Sequence, residues 1–340
     1  MSFKLSKIKR PFVIAELSAN HNGNINNVYR IIDNAKKCGA NAIKIQSYTA
    51  ESITLDCKNK YFFVNEGHWK GNYLYDIYKK GSLPFQGHKK VFDYAKKKRI
   101  LCFSSPFDVL AVQLLEKLKV KLYKVASFEI NHIPLLEEIG KTKKPVIVST
   151  GTANIKDIDL AIKTLKKNGS KEIAILHCIS AYPSKSYNYN LNFINKLKKF
   201  GVPVGLSDHT IGNVVATTSI GMGVKIFEKH IKLDNKKGLD SEFSTNLNEF
   251  KNYVTAINLA FGCMGKENFN RNILEKASIQ ARRSIFISKD VFKNDVITKD
   301  NIKVVRPSNG MHPKFYGKIL GKKFKMSKKK GVPLRLSHIF

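Results

Sequence analysis

Short apolar runs recur along the first two thirds of the chain, each followed by a stretch in which apolar residues return every three or four places. The runs "FVIAEL" (12–17), "AIKIQ" (42–46), "LCFSSP" (101–106), "LYKVAS" (122–127), "PVIVST" (145–150), "IAILHC" (173–178), "PVGLSD" (203–208) and "KIFEKHI" (225–231) are rich in β-formers, and half of them close on Gln, Ser, Thr or Asp. Near-continuous apolar runs of this length predict strands buried on both faces, as in a parallel sheet. The segments between them, among them 26–38, 89–98, 108–118, 154–168, 190–199 and 246–261, have the spacing of amphipathic helices. Roughly eight strand–helix units predict an α/β fold of the (β/α)8 TIM-barrel kind. An open doubly wound sheet is the alternative, but it usually has fewer strands and a glycine-rich first turn, and "ELSANHNG" is no G-x-G-x-x-G.

Two stretches break this rhythm. Segment 50–88 is too long for an ordinary strand-to-helix loop and carries the only tryptophan, Trp69, among several other aromatics. Long structured loops at the C-terminal face of a barrel usually shape a substrate pocket, although each aromatic here could equally pack a flap onto a helix. Beyond residue 261 the helical spacing gives way to short strand-like pieces and turn residues. The predicted organisation is a barrel over 1–261, a linker over 262–281 and a small β-rich domain over 282–340.

Composition agrees with a folded protein: 340 residues, 43% hydrophobic and 25% charged, can bury a sizeable core. A formal charge of +34 raises the alternative of a polyanion-binding protein. The lysines are, however, spread over nearly every predicted helix beside abundant asparagine, which is the pattern of a compositional bias on solvated faces. No arginine-rich arm, zinc knuckle or aromatic RNA-binding motif accompanies them, so neither nucleic acid nor membrane is expected as a partner. A basic surface would still steer an anionic metabolite. The five cysteines are scattered and form no C-x-x-C pair, which argues against a disulfide framework or a structural zinc site. With no apolar segment behind the charged N-terminus, a cytoplasmic location is expected.

In a barrel, the ends of the strands build the site. At those ends the chain places Glu16; Lys44 and Gln46; Ser104 and Ser105; Lys124, Ser127 and Glu129; Ser149 and Thr150; Ser180 and Tyr182; Ser207, Asp208 and His209; and Glu228, Lys229 and His230. A lone Ser or Thr there often caps the next helix, so Ser149 and Thr150 could serve "NIKDID". A lysine inside a buried strand is different, because an unpaired buried ammonium is strongly disfavoured. Lys44 and Lys124 need anionic partners, and a phosphate or carboxylate ligand is more economical than two separate buried salt bridges. His209 and His230 lie on strands expected to be neighbours, about 4.8 Å apart. They could share a divalent metal ion with open positions for water and substrate oxygens, or be two hydrogen-bonded histidines.

The segments "AELSANHNG", "AIKIQSYTAESIT", "FSSPFD", "YKVASFEI", "VIVSTG", "HCISAYP", "GLSDHT" and "EKHIKL", in this order, resemble the successive motifs of the sialic acid synthase family. "ARRSIFISKDV" and "VVRPSNG" resemble that family's C-terminal antifreeze-like (SAF) domain, so the likeness spans essentially the whole chain. The resemblance implies a metal-dependent condensation of phosphoenolpyruvate with an open-chain amino sugar, giving a nine-carbon 2-keto acid and phosphate. It further implies that His209 and His230 hold the metal (Mn2+, Mg2+ or Co2+) and that Glu16 acts beside the reacting carbons. Lys44, Ser105, Lys124, Ser127, Ser149, Ser180, Tyr182 and Ser207 correspond to groups around phosphoenolpyruvate, although Ser180 stands where sialic acid members often have Asn. Glu129 and Asp240 correspond to residues that meet the sugar, with Glu129 a second candidate catalytic carboxylate. Arg306 corresponds to an arginine that the SAF domain extends into the partner chain's sugar site, which implies a domain-swapped homodimer.

Within the family, "FSSPFD", Phe128, "SAYP", "GLDSEFS" and the insertion "GHWKGNYLYDIYKK" resemble the pseudaminic acid branch, while "SLPFQGH" departs from its usual tryptophan-containing run. That branch uses 2,4-diacetamido-2,4,6-trideoxy-L-altrose. The alternatives are an N-acetylneuraminate or legionaminic acid synthase, or another phosphoenolpyruvate-condensing barrel synthase.

Overall fold

The structure, a computed structural model, describes residues 3–234, 237–267 and 273–340. The chain divides into two compact units, Met1–Gly265 and Lys266–Phe340. In the first, eight strands follow the chain order: β1 (Phe12–Glu16), β2 (Ala42–Ser47), β3 (Leu101–Pro106), β4 (Tyr123–Val125), β5 (Val146–Ser149), β6 (Ile173–Cys178), β7 (Val204–Asp208) and β8 (Ile226–His230). All pairings are parallel, and β1 pairs with both β2 and β8, which closes the barrel. Every expected apolar run contains a strand, and the structure trims several by a residue at one or both ends.

The helices between the strands start where the sequence supplies caps. Asp108 accepts from Ala111 N at 2.7 Å ahead of helix Val109–Lys117, and Asn154 and Asn246 open helices Ile155–Lys167 and Leu247–Cys263 with reciprocal capping boxes to Asp157 and Glu249. Lysines fill the last turns of several helices, where their charge complements the helix dipole. Part of the Lys/Asn abundance is therefore positioned at helix ends as well as on solvated faces. Ser149 and Thr150 do not cap the helix after β5: Asn154 does, and Thr150 Oγ1 donates instead to the Leu176 carbonyl at 3.0 Å.

Alternation along each strand sorts the barrel into an outside and an inside. Val13, Ala15, Ile43, Ile45, Val146, Val148, Ile173 and Ile175 face the helices and join the main core. Ile14, Ala42, Phe103, Leu122, Ile147, Leu176 and Ile226 form a separate cluster inside, closed below by Leu5 from the 3-10 turn Leu5–Lys7. Gly205 on β7 leaves the room this interior needs, since a Cβ there would lie 2.7 Å from the Ile226 carbonyl and 2.4 Å from Leu176. Above this apolar plug, strand positions of the same parity turn polar.

Segment 50–88 is more structured than a loop. It contains the one-turn helix Ala50–Ile53, the 3-10 turn Lys60–Phe62 and helix Leu74–Gly81, and the next helix begins at Phe85 rather than at residue 89. In the second unit, β9 (Ser284–Ile287) pairs antiparallel with β10 (Ile302–Val305), around a core of Ile285, Ile287, Ile297, Ile302, Phe324 and Leu334. Within the expected linker 262–281, residues 268–272 lie outside those described, and Ile273–Ser278 is helical. Among the described residues, no helix is long and apolar enough to cross a membrane.

Candidate active site

Lys44 lies in register with Glu16, which is in register with His230, so β8, β1 and β2 bring these three to one level inside the barrel. Lys44 Nζ lies 2.9 Å from Glu16 Oε2 and 3.3 Å from Glu228 Oε1, with all three side chains buried. It also reaches Ser105 Oγ at 3.4 Å. Gln46 Nε2 donates to Glu16 Oε1 at 3.0 Å, and Ser207 Oγ donates to Glu228 Oε1 at 3.4 Å. Lys124 Nζ is 3.8 Å from the same Glu228 oxygen and donates to the Val125 carbonyl at 3.2 Å.

The protein itself supplies carboxylates to the two lysines, and one of them, Glu228, serves both. Burial pushes Glu16 up, with Lys44 opposing and Glu228 reinforcing the rise; Glu228 also feels burial, but Lys124 and Lys44 outweigh it and hold its carboxyl below the usual range. Burial lowers Lys124 to about 8, while the two carboxylates beside Lys44 raise it despite its burial. Lys124, 3.8 Å from its nearest carboxylate oxygen, is the less closely paired of the two cations.

Around this floor lie the hydroxyls. Ser149 Oγ is buried without a hydrogen-bond partner. Ser127 Oγ accepts from Gly151 N at 3.2 Å and donates to Cys178 Sγ at 3.5 Å. Ser180 Oγ is 3.9 Å from the same sulfur. Gly151 threads between these groups: a Cβ there would fall 2.1 Å from Ser180 Oγ and 2.8 Å from Ser127 Oγ. The structure thus brings Ser127, after β4, together with Cys178 and Ser180, at the end of β6.

His209 follows β7 and His230 ends β8, with ring centroids 5.3 Å apart. His209 Nδ1 lies 2.9 Å from the Ile179 carbonyl, an acceptor only, so Nδ1 carries the hydrogen of that bond. His230 Nδ1 is buried with no partner, and burial followed by the neighbouring His209 pushes its pKa well below the histidine range. A neutral imidazole with an unsatisfied nitrogen, beside a second histidine whose Nδ1 is oriented by a carbonyl, fits the donor set of a divalent ion. Among the described residues no group of three or more His, Cys, Asp or Glu is placed to hold one, so open positions would remain.

Tyr182 packs at a tilt against His209, with ring centroids 4.3 Å apart, and leads into a cavity of about 350 Å³. Glu129, Asp240, Tyr182 and His230 supply polar groups to its wall, and Trp69, Phe128 and Phe243 supply aromatic surface. Asp240 Oδ2 accepts from Ala19 N at 3.1 Å. Glu129 Oε2 is buried without a partner, and burial raises its carboxyl to about 7 against the opposing charge of Lys124. Arg306 is exposed in the second unit, where it lines a shallow depression with Arg282, Arg283 and His312.

Strand-end reading placed Glu228 among the site residues without giving it a role, and it passed over Cys178. Each sits at the inward parity of an apolar strand, and that parity was the available signal. Leu239, brought to the cavity by a loop, and His68, which contacts its carbonyl from outside the cavity lining, left no comparable trace.

A closed parallel barrel with acid–base groups, buried cations and a histidine pair gathered at the C-terminal strand ends defines a TIM-barrel enzyme. The NeuB family pattern matches residues 31–269, and the SAF domain pattern matches 282–339. The chain is 40% identical over 320 residues to the pseudaminic acid synthase of Campylobacter jejuni strain 81-176, covering 93% of this chain and 92% of that one. It is 39% identical to the pseudaminic acid synthase of Helicobacter pylori, covering 98% of each. Among solved structures, the N-acetylneuraminic acid synthetase of Leptospira borgpetersenii, in complex with citrate, superposes with a TM-score of 0.71 at 31% identity, covering 82% of this chain and 95% of that one. The chain belongs to the NeuB family.

The raised Glu129 carboxyl has a consequence for stability. A folded pKa above the ordinary 4.5 favours the protonated form in the folded state, so this contribution is complete below about 4.5 and is lost as pH rises through about 7. Glu129→Gln does not titrate, so melting temperature measured across that window should decline less steeply than in the wild type. Parallel declines would show that Glu129 is not held protonated by its surroundings.

Proposed function

We propose that the chain condenses phosphoenolpyruvate with 2,4-diacetamido-2,4,6-trideoxy-L-altrose, giving pseudaminic acid and phosphate. The carrying observation is the identity of 39–40% over nearly the full chain to proteins named pseudaminic acid synthase. The geometry supports it with a floor that carries two lysines for a small anion beneath an aromatic-walled cavity sized for a sugar.

In the reaction, C3 of phosphoenolpyruvate bonds to the sugar's aldehyde carbon, water adds at C2, and the C2–O bond to phosphate breaks. Lys44 and Lys124 neutralise the carboxylate and phosphate, with Ser127, Ser149, Ser180 and Ser207 as hydrogen-bond donors. An incoming anion competes with Glu16 and Glu228 for these ammonium groups. Glu16, freed from part of its pairing and inclined by burial to hold a proton, is placed to exchange one with the aldehyde oxygen or the attacking water. A divalent ion, Mn2+, Mg2+ or Co2+, held by His209 and His230, would polarise the aldehyde oxygen. Phe128, 57% exposed at the cavity rim, and Trp69 offer apolar contact to the 6-methyl and second acetamido groups. Arg306 serves the sugar site of a partner chain in a homodimer.

For the substrate, kcat/KM from phosphate release should favour the diacetamido sugar over N-acetylmannosamine by about 10- to 200-fold, the worth of one methyl-sized contact. The reverse preference would move the chain to the N-acetylneuraminate branch, and release only with an aldose phosphate would reject both.

For the metal, His209→Ala and His230→Ala should each weaken Mn2+ binding, read by titration of the free protein, by at least about 100-fold. Unchanged binding in both would remove the histidines from the metal.

For assembly, mixing inactive His209→Ala chains with inactive Arg306→Ala chains should restore activity, since one site of each heterodimer is then intact. A verified heterodimer without activity would place Arg306 at its own barrel.

A further inference from the structure

Residues 63–73 form a small hairpin. Phe63 bridges antiparallel to Tyr73, Val64 N donates to the Asn72 carbonyl at 2.9 Å, and Gly71 N donates to the Val64 carbonyl at 2.9 Å. Its tip carries His68 and Trp69 and rests on the loop that follows β8. His68 Nε2 lies 2.7 Å from the Leu239 carbonyl, and Trp69 Nε1 donates to the same oxygen at 3.3 Å. His68 Nδ1 lies 2.9 Å from Glu242 Oε2. Both ring nitrogens thus face oxygen acceptors, the Leu239 carbonyl and the Glu242 carboxylate. The ring also packs edge-on against Phe243 at 5.5 Å and Trp69 at 5.7 Å.

The oxygen on which the tip converges belongs to the residue before Asp240. Asp240 is tied on its other side to the backbone of Ala19 at 3.1 Å. Trp69, Leu239, Asp240 and Phe243 all line the cavity, whereas His68 does not. We propose that His68 is a positioning residue: it latches the hairpin tip to the Asp240 loop and so sets the aromatic and carboxylate sides of the sugar pocket at a fixed separation. The inference rests on the reading of this cavity as the sugar site. The latch acts on the sugar half of the site and leaves the Lys44–Lys124 floor alone.

The tests use the full-length protein. Trp69 is the only tryptophan, so its fluorescence reports the tip without interference. In the sugar-free protein, His68→Ala should increase acrylamide quenching of Trp69. It should also raise KM for the sugar about tenfold, the worth of one to two hydrogen bonds, with KM for phosphoenolpyruvate within about twofold of wild type. His68→Phe keeps the ring packing but has no donors and should match the alanine variant, while His68→Gln keeps one donor and should recover part of both readouts. Wild-type behaviour of His68→Phe would assign the effect to packing and overturn the latch. Unchanged quenching in His68→Ala, or an equal rise in both KM values, would overturn it as well. If wild-type protein releases no phosphate with the proposed sugar, the functional reading fails, and the quenching series still decides the latch.

Discussion

A lysine ammonium held inside a barrel constrains everything around it. Lys44 cannot remain charged in that interior without anions at contact distance, and it receives two, from Glu16 on the strand before it and Glu228 on the last strand. The pairing therefore spans the seam at which the barrel closes. Deleting either carboxylate would leave a less compensated buried charge, and breaking such pairs typically costs about 3–5 kcal/mol. The groups that complete the closure are the same groups that face the reacting carbons in the proposed chemistry, so the site is intrinsic to the barrel's own wall.

Ligand capture follows from the same balance. The inner layer of two lysines and two glutamates is close to neutral as a set, while the chain as a whole carries a formal charge of +34. In the proposed reaction, the field outside would draw the anionic substrate inward, and the near-neutral interior would let it enter by exchanging with carboxylates rather than by adding charge to a buried site. Lys124, with its nearest carboxylate at 3.8 Å, is the less closely paired cation and would be its first contact.

Above the floor, the chain changes its means of control. Strand geometry places Glu16, Lys44, Ser207 and Glu228 through register, which is rigid. The cavity wall is built by loops from distant parts of the barrel unit: the 63–73 hairpin, the turn Ser127–Glu129 and the segment around Asp240. The hairpin and the segment around Asp240 meet through a few hydrogen bonds and an edge-on aromatic contact. Such a division lets the wall vary while the reacting centre stays fixed, in keeping with family members whose names refer to different nine-carbon sugars.

The order of strands and their lengths were legible because continuous apolar runs such as 173–178 admit little else, and the helices opened by Asn154 and Asn246 were legible from their amphipathic spacing, although the caps themselves were not read. The need of Lys44 and Lys124 for anions was likewise a local fact, a charge in an apolar run. Helix Val214–Gly221 was not so readable: its β-branched and small residues disfavour a helix in isolation, and packing of Val215, Ala216 and Ile220 against the core supplies what propensity lacks. Nor could the sequence say which anions answer the lysines. Glu228 becomes their partner only because the barrel closes, and His68 reaches Leu239 only because two loops far apart in sequence fold over one rim. Local pattern fixes what each strand must be, since burial and hydrogen bonding act on every residue where it stands. Which charged group meets which depends on chain closure, a property of the whole fold that no window of sequence contains.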